Sequence, residues 1–251
     1  MIISVINHKG GVGKTMTVHN LSAALSRMKK SVLMVDFDPQ CNLTQDCGIE
    51  DDGSHTTISN YLNDDNCSYA PVILDNGTHL IPSASGLDVD SMVMTRMDEK
   101  VAPTLLANIL RRLSPAYDFI IVDAAPGSGM LMINALYAAD EVIIPLCDKK
   151  STNGVAKIGD LMRANHLHPK VHYLLTRYDG RTSLNRELKE YLIEECPEQL
   201  FHTIIRETEA LNQAACAGKD IYEYDGKSNG ATDYHSLAVE LAGKRSGRLK
   251  I

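Results

Sequence analysis

Tryptophan is absent from this 251-residue chain, and phenylalanine occurs only three times. No apolar run approaches the roughly 20 residues that span a bilayer, which excludes a helical membrane protein. No basic leader precedes the apolar start at Ile2-Ile3, so a secretory signal is not expected. Cysteine never occurs as a Cys-x-x-Cys pair. Cys41, Cys47, Cys67, Cys147, Cys196 and Cys216 are scattered without the spacing of a disulfide framework. They read as reduced thiols of a cytoplasmic protein. His166 and His168 have no neighbouring cysteines with which to build a structural zinc site. Internal repeats, low-complexity segments and linkers are also missing. A single domain over residues 1–251 is therefore expected, and a chain of that length buries a sizeable core without staples. The 44% hydrophobic and 23% charged content is that of an ordinary globular protein. The methionines, Met92, Met94 and Met97 among them, need no role beyond filling gaps in a core.

A net charge of −7 argues against a wholly basic nucleic-acid binder. The charge is unevenly spread. Between 163 and 189, Arg163, Lys170, Arg177, Arg181, Arg186 and Lys189 stand against only Asp179 and Glu187. The tail at 244–251 carries Lys244, Arg245, Arg248 and Lys250 and no acid. An acidic body with two basic segments can still turn one face to a polyanion.

The opening Ile2-Ile3-Ser4-Val5-Ile6 reads as a strand buried on both faces. Val18, Leu21, Leu25 and Met28 recur at helical spacing, and Ser31–Asp36 reads as a second buried strand. Strand, helix and strand in such a short span make a βαβ unit. Further strands are expected at His79–Pro82, Phe119–Asp123, Glu141–Pro145, Val171–Thr176 and Phe201–Ile205. Helices are expected at Thr57–Leu62, Val101–Leu113, Met130–Ala139, Val155–Ala164, Leu184–Glu195 and Ser236–Ala242. This alternation predicts the α/β class: a mostly parallel twisted sheet with helices on both faces.

Between the first strand and the first helix stands Lys9-Gly10-Gly11-Val12-Gly13-Lys14-Thr15. It approaches the phosphate-loop pattern Gly-x-x-x-x-Gly-Lys-[Ser/Thr], except that His8 occupies the position of the first glycine. Small residues let backbone N–H groups approach phosphate oxygens, and the following helix turns its positive end to the anion. In that pattern Lys14 reaches the β- and γ-phosphates and the Thr15 hydroxyl ligates Mg²⁺.

A lysine placed directly before Gly-Gly-x-Gly-Lys-Thr resembles the deviant Walker A motif of the ParA/MinD superfamily of P-loop ATPases. Asp36-Phe37-Asp38-Pro39-Gln40-Cys41-Asn42 is similar to the ParA pattern Asp-x-Asp-Pro-Gln-Gly-Asn, and Thr176-Arg177-Tyr178-Asp179-Gly180-Arg181-Thr182 to Thr-Met-Tyr-Asp-x-Arg-Thr. The closing run through Tyr224-Asp225, Gly230-Ala231, Tyr234 and Leu237-Ala238 also follows the family. The resemblance implies ATP and Mg²⁺ as ligands and an ATP-sandwich homodimer. Lys9 is then the signature lysine that reaches the partner's nucleotide, and Gly10, Gly11, Val12, Gly13, Lys14, Thr15 and Met16 bind the phosphates. It implies that Asp38 orients the attacking water, and that Asp36 either approaches Mg²⁺ through water or supports the loop. Asp123, closing its strand, is the implied Walker B acid. Thr176 and Arg206 are the implied adenine neighbours, although Ile205 replaces the usual proline and a surface ion pair serves Arg206 equally well. Lys149 and Lys150, where relatives lack such a pair, either assist in trans or are solvated loop lysines.

Further implications are slow, partner-stimulated ATP hydrolysis, non-specific DNA binding through Arg163, Lys170, Arg186, Lys189 and the Lys244–Lys250 tail, and cargo positioning on the nucleoid through an activating adaptor. A MinD-like membrane cycle is the alternative, but residues 243–251 offer only Leu249 and Ile251 as apolar groups, too few for an amphipathic anchor. A metabolic ATP-dependent enzyme on the same fold is the third reading.

Overall fold

Strand residues alternate between two faces, and here both faces are apolar, so helices must cover both. The computed structural model describes residues 1–50, 52–64, 66–85 and 102–246. Its strands are β1 (Ile2–Val5), β2 (Val32–Phe37), β3 (Val72–Ile73), β4 (His79–Ile81), β5 (Phe119–Ala124), β6 (Glu141–Leu146) and β7 (Lys170–Leu175). They form one sheet in the order β3-β4-β2-β5-β1-β6-β7, parallel except where β3 runs antiparallel to β4. The helices are α1 (Lys14–Arg27), α2 (Asn42–Asp46), α3 (Ile58–Asn63), α4 (Leu105–Leu113), α5 (Met130–Ala138), α6 (Lys149–Ala164), α7 (Ser183–Glu195), α8 (Glu209–Cys216), α9 (Ile221–Asp225) and α10 (Asn229–Ser246).

Strand β5 shows the layering. Phe119 and Ile121 pack with Val18, Leu21 and Leu25 of α1 and with Tyr234 and Leu237 of α10. Ile120 and Val122 point the other way, onto Ile58 of α3 and Leu106 and Leu110 of α4. A third cluster joins Val142 and Ile144 of β6 to α5, α6 and α7. Each of these fully buried aliphatic side chains contributes about 1.5–3 kcal/mol relative to an exposed one. Strand β1 lies between β5 and β6, so the chain leaves it to one side for β2 and later crosses to the other for β6. The crevice beyond the C-terminal end of such a strand is where open α/β sheets bind ligands.

Four sequence expectations are corrected, the first being that the helix expected from Val155 already begins at Lys149, so that Lys149 and Lys150 stand on it and not in a loop. Phe201–Ile205 forms no continuous strand: the Phe201 and Ile205 amides donate to the Tyr173 and Leu175 carbonyls of β7, and isolated bridges join Leu200 to Tyr173 and Arg206 to Tyr178. Between them the His202 and Thr203 amides donate to the Glu240 carboxylate of α10 instead of to a neighbouring strand. The helix expected from Val101 begins at Leu105 after a 3₁₀ turn over Ala102–Thr104, and Val101 lies outside the described residues. The last helix starts at Asn229, well before Ser236. Gly230 in its first turn reads as a breaker. Its purpose is close packing, since a Cβ there would come within 2.8 Å of Leu211 Cγ. The basic tail enters the last turn of α10 with Lys244 and Arg245, whereas Arg248 and Lys250, like Met92, Met94 and Met97, lie outside the described residues.

Candidate active site

The loop after β1 turns on two glycines with left-handed backbone, Gly11 (φ 72°) and Gly13 (φ 85°), a conformation costly for any residue with a Cβ. Gly13 caps α1, and Lys14 and Thr15 open it. A cavity of about 350 Å³ lies over this helix end. Gly10, Gly11, Gly13, Lys14, Thr15 and Met16 line one end, with Asp38 and Thr176 beside them. Ile205, Arg206, Thr208, Leu211, Asn212 and Tyr234 line the other.

The charged groups at the loop end are buried. Lys14 is 7% exposed, Asp38 6%, Asp123 1% and Asp36 0%. Burial pulls the Lys14 ammonium below its ordinary pKa, while Asp123 and Asp38 pull it back up. The Thr15 hydroxyl donates to Asp123 Oδ2 at 2.7 Å. Among the described residues nothing hydrogen-bonds Asp123 Oδ1, although it is buried. Burial, and next the neighbouring Asp36, push this carboxyl far above the usual carboxylate range. A buried acid with an orphaned oxygen beside a threonine hydroxyl is the chemistry of a cation site. No group of three or more His, Cys, Asp and Glu side chains among the described residues is arranged to hold a metal alone.

Asp36 and Asp38 take different roles because β2 ends at Phe37. Asp36 Oδ2 accepts from the Thr44 amide (2.9 Å) and hydroxyl (2.7 Å), and its Oδ1 accepts from the Asp38 amide (3.2 Å). Asp36 thus hydrogen-bonds both the loop that carries Asp38 and the start of α2. Asp38 itself caps the Gln40 amide (2.9 Å) and faces the cavity.

Lys9 pairs with Asp148, at the N-terminus of α6, at 2.5 Å. Asp148 also accepts from the Ser151 amide. Its burial opposes ionisation, but the hydrogen bonds from Lys9 and Ser151 hold its carboxyl below the ordinary range. Lys149 and Lys150 are exposed in the first turn of α6. Asn7 locks this helix to the loop, donating to the carbonyls of Pro145 (2.9 Å) and Ser151 (3.4 Å). Gly154 permits that approach: a Cβ there would meet Asn7 Oδ1 at 2.5 Å. Asn7, Asp148 and Gly154 carry no motif and are missed by sequence reading.

Val12 is buried, and its carbonyl accepts the Thr176 hydroxyl at 2.8 Å. Arg206 lines the cavity with its fork engaged by Asp233 of α10, at 2.6 Å for the shortest contact.

A family model described as AAA domain matches residues 1–171. The chromosome-partitioning ATPase Soj of Thermus thermophilus is 35% identical over 246 residues, 95% of this chain and 94% of that protein. The sporulation initiation inhibitor protein Soj of Bacillus subtilis is 34% identical over 256 residues, 96% and 98% of the two chains. The chain belongs to the ParA/Soj family of P-loop ATPases. Its fold also matches cobyrinic acid a,c-diamide synthase of Mycobacterium smegmatis solved with an ATP analogue and magnesium, with TM-score 0.80, 29% identity and coverage of 98% and 96%. The chain is thus a ParA-type positioning ATPase, and among its described residues no helix is long and apolar enough to cross a membrane.

The candidate DNA contacts of this ParA-type chain do not form one group. Arg163 ends α6 and Lys170 starts β7, at the edge of the sheet away from the cavity. Arg186 and Lys189 sit on α7, beyond the other end of β7, a strand roughly 20 Å long at about 3.3 Å per residue. Arg163 is paired with Asp160, Arg186 donates to the carbonyls of Gly180 and Arg181, and Lys189 lies 5.9 Å from the centre of the Tyr178 ring. The basic residues of 163–189 are therefore spread over the two ends of β7.

Proposed function

We propose that this chain is an ATP-dependent dimerising switch that binds duplex DNA without sequence preference and uses the cycle to position a cargo on the nucleoid. The observation that carries the reading is the buried set around one cavity end: Lys14, the Thr15–Asp123 pair with its orphaned oxygen, and Asp38. Lys14 holds the ground-state phosphates, and the glycine-loop amides and the start of α1 receive their oxygens. Thr15 and Asp123 suit a Mg²⁺ that keeps most of its ligands as water and phosphate, and when bound it neutralises phosphate charge. The ATP analogue and magnesium named for the Mycobacterium smegmatis synthase support this pairing. Asp38, supported by Asp36, positions the attacking water. Arg206 lines the end of the cavity that receives the adenine, and Thr176 lines the approach to it from the phosphate loop.

Lys9 is the group that acts on the partner's nucleotide across a homodimer. In the free chain Asp148 holds it, and both side chains are partly exposed, so the pair opens at little cost. A cation arriving in trans stabilises charge on the transferring phosphoryl group. The Arg163/Lys170 and Arg186/Lys189 pairs, with the tail from Lys244 to Lys250, supply the DNA contacts. A dimer doubles these dispersed patches, which makes DNA binding depend on ATP. A cargo-linked adaptor then stimulates hydrolysis and release.

The test is fluorescence anisotropy on a random duplex with ATP, with ADP and without nucleotide, across a salt series. Binding is expected with ATP only, weakening steeply with salt, and lost in Lys9→Ala. Equal binding in all three nucleotide states would refute the switch.

A further inference from the structure

Four non-glycine residues among those described hold left-handed backbone: Lys29, Cys41, His166 and Arg177. Lys29 and His166 directly follow the C-caps of α1 and α6, where a left-handed residue ordinarily closes a helix. Cys41 opens α2. Arg177, at φ 50°, ends no helix and starts none. Its neighbours are anchored on both sides. The Thr176 hydroxyl donates to the Val12 carbonyl, and the Tyr178 amide donates to the Ile205 carbonyl at 3.0 Å. The Tyr178 carbonyl accepts the Glu207 amide at 3.1 Å. Strain of this kind persists where the surroundings over-determine it, and it clusters at functional sites.

The strained residue places its guanidinium between two walls of the nucleotide cavity. Nη1 donates to the carbonyl of Gly11 at 3.2 Å, and Nε and Nη2 donate to the Glu207 carboxylate at 3.0 and 3.4 Å. Gly11, Arg177 and Glu207 all line that cavity. The Glu207 carboxylate holds the guanidinium firmly protonated. Only a planar fork makes both contacts at once, which a lysine cannot do.

We propose that Arg177 and Glu207 form a latch over the cavity mouth, tying the tip of the phosphate loop to the 205–208 loop and setting how fast nucleotide leaves. The proposal rests on the ATPase reading above. A nucleotide held at Lys14 and reaching the Ile205–Asn212 wall is released when these two walls part. The latch adds the Arg177 side-chain contacts with Gly11 and Glu207 to the Thr176–Val12 hydrogen bond and the Tyr178 backbone bonds that also join them. Arg177 is 55% and Glu207 39% exposed, so the latch opens readily and salt weakens it. Arg177 is a positioning residue here, acting through the loop it holds.

The test is stopped-flow displacement of N-methylanthraniloyl-ADP from the full chain by excess ADP. Arg177→Met and Glu207→Gln are each expected to release it about fivefold faster, in line with the loss of one partly exposed charged contact. The double variant should release no faster than the faster single one, because both changes break one unit. The wild-type rate should rise between about 50 and 500 mM KCl while both variants stay flat, a response that general loosening would not produce. Arg177→Lys, which keeps the charge without the fork, should fall between. Wild-type release and wild-type salt dependence in both single variants would overturn the latch alone. A wild-type chain that binds no N-methylanthraniloyl-ADP would overturn the ATPase reading beneath it.

Discussion

At the phosphate end of the cavity the charged side chains are almost wholly buried, whereas at its rim they are half-exposed ion pairs. Lys14, Asp36, Asp38 and Asp123 are each less than a tenth exposed. The rim pairs Lys9–Asp148 and Arg177–Glu207 have both partners more than a third exposed, and in Arg206–Asp233 the arginine is 45% exposed. Burial makes each charge–charge interaction strong and each unmatched group expensive, so the centre is stable only when its partners are in place. Exposed pairs contribute about 0–1 kcal/mol each and rearrange freely. Under the proposed function the centre holds phosphates and the rim opens and closes, and the two call for different chemistry.

The largest effect should come from the centre. Lys14→Ala removes the one buried cation at the phosphate end among the described residues, and titration calorimetry should show ATP affinity reduced by about 100-fold or more. An affinity within a few-fold of wild type would move the phosphates elsewhere. Asp38→Ala should leave ATP binding intact and slow hydrolysis by roughly 100-fold or more, read as phosphate release under saturating ATP. Normal turnover in that variant would remove Asp38 from the chemistry.

Asp36 separates a brace from a ligand. Burial lifts its carboxyl to about 6, from the ordinary 3.8. The folded chain therefore binds this proton more tightly than the unfolded chain. Its contribution to stability is fully present below pH 3.8 and is lost as pH rises through about 6. Asp36→Asn replaces one of two accepting oxygens by a donor and should cost about 1–3 kcal/mol in acid. It also abolishes the slope, so the wild-type advantage in Tm should shrink from about pH 4 to about pH 7. The opposite slope from His19, whose pKa burial depresses to about 4, is common to both chains and cancels in the difference. A difference constant with pH would contradict the assignment. At the rim, Arg206→Ala should change ATP affinity by no more than about threefold, since its fork is spent on Asp233. A loss comparable to that of Lys14→Ala would make Arg206 a primary ligand.

The same contrast decides what was legible in the sequence. The centre lies on short contiguous motifs whose residues work because they are adjacent: Gly11, Gly13, Lys14 and Thr15 in one turn, Asp36 and Asp38 at one strand end. The parallel sheet was equally readable, because β-branched runs such as Ile120-Ile121-Val122 admit few alternatives. The rim joins residues far apart in the chain, Lys9 with Asp148 and Arg177 with Glu207, and no local pattern encodes such pairings. Charge counting over 163–189 likewise says nothing of how those residues are arranged in space. Residues near in sequence are carried to opposite ends of β7, and two of the six basic residues are answered locally, at Arg163–Asp160 and Arg181–Asp179. The 201–205 segment has the apolar content of a strand, yet the Glu240 carboxylate that captures its His202 and Thr203 amides lies on the last helix.

The most direct test of the buried centre as a site for ATP with Mg²⁺ is titration calorimetry of ATP with and without Mg²⁺, on wild type and Asp123→Asn. Wild type should bind one ATP per chain and gain about tenfold or more in affinity from Mg²⁺. Asp123→Asn should keep the metal-free affinity and lose the gain. The same Mg²⁺-dependent gain in both proteins would contradict the account.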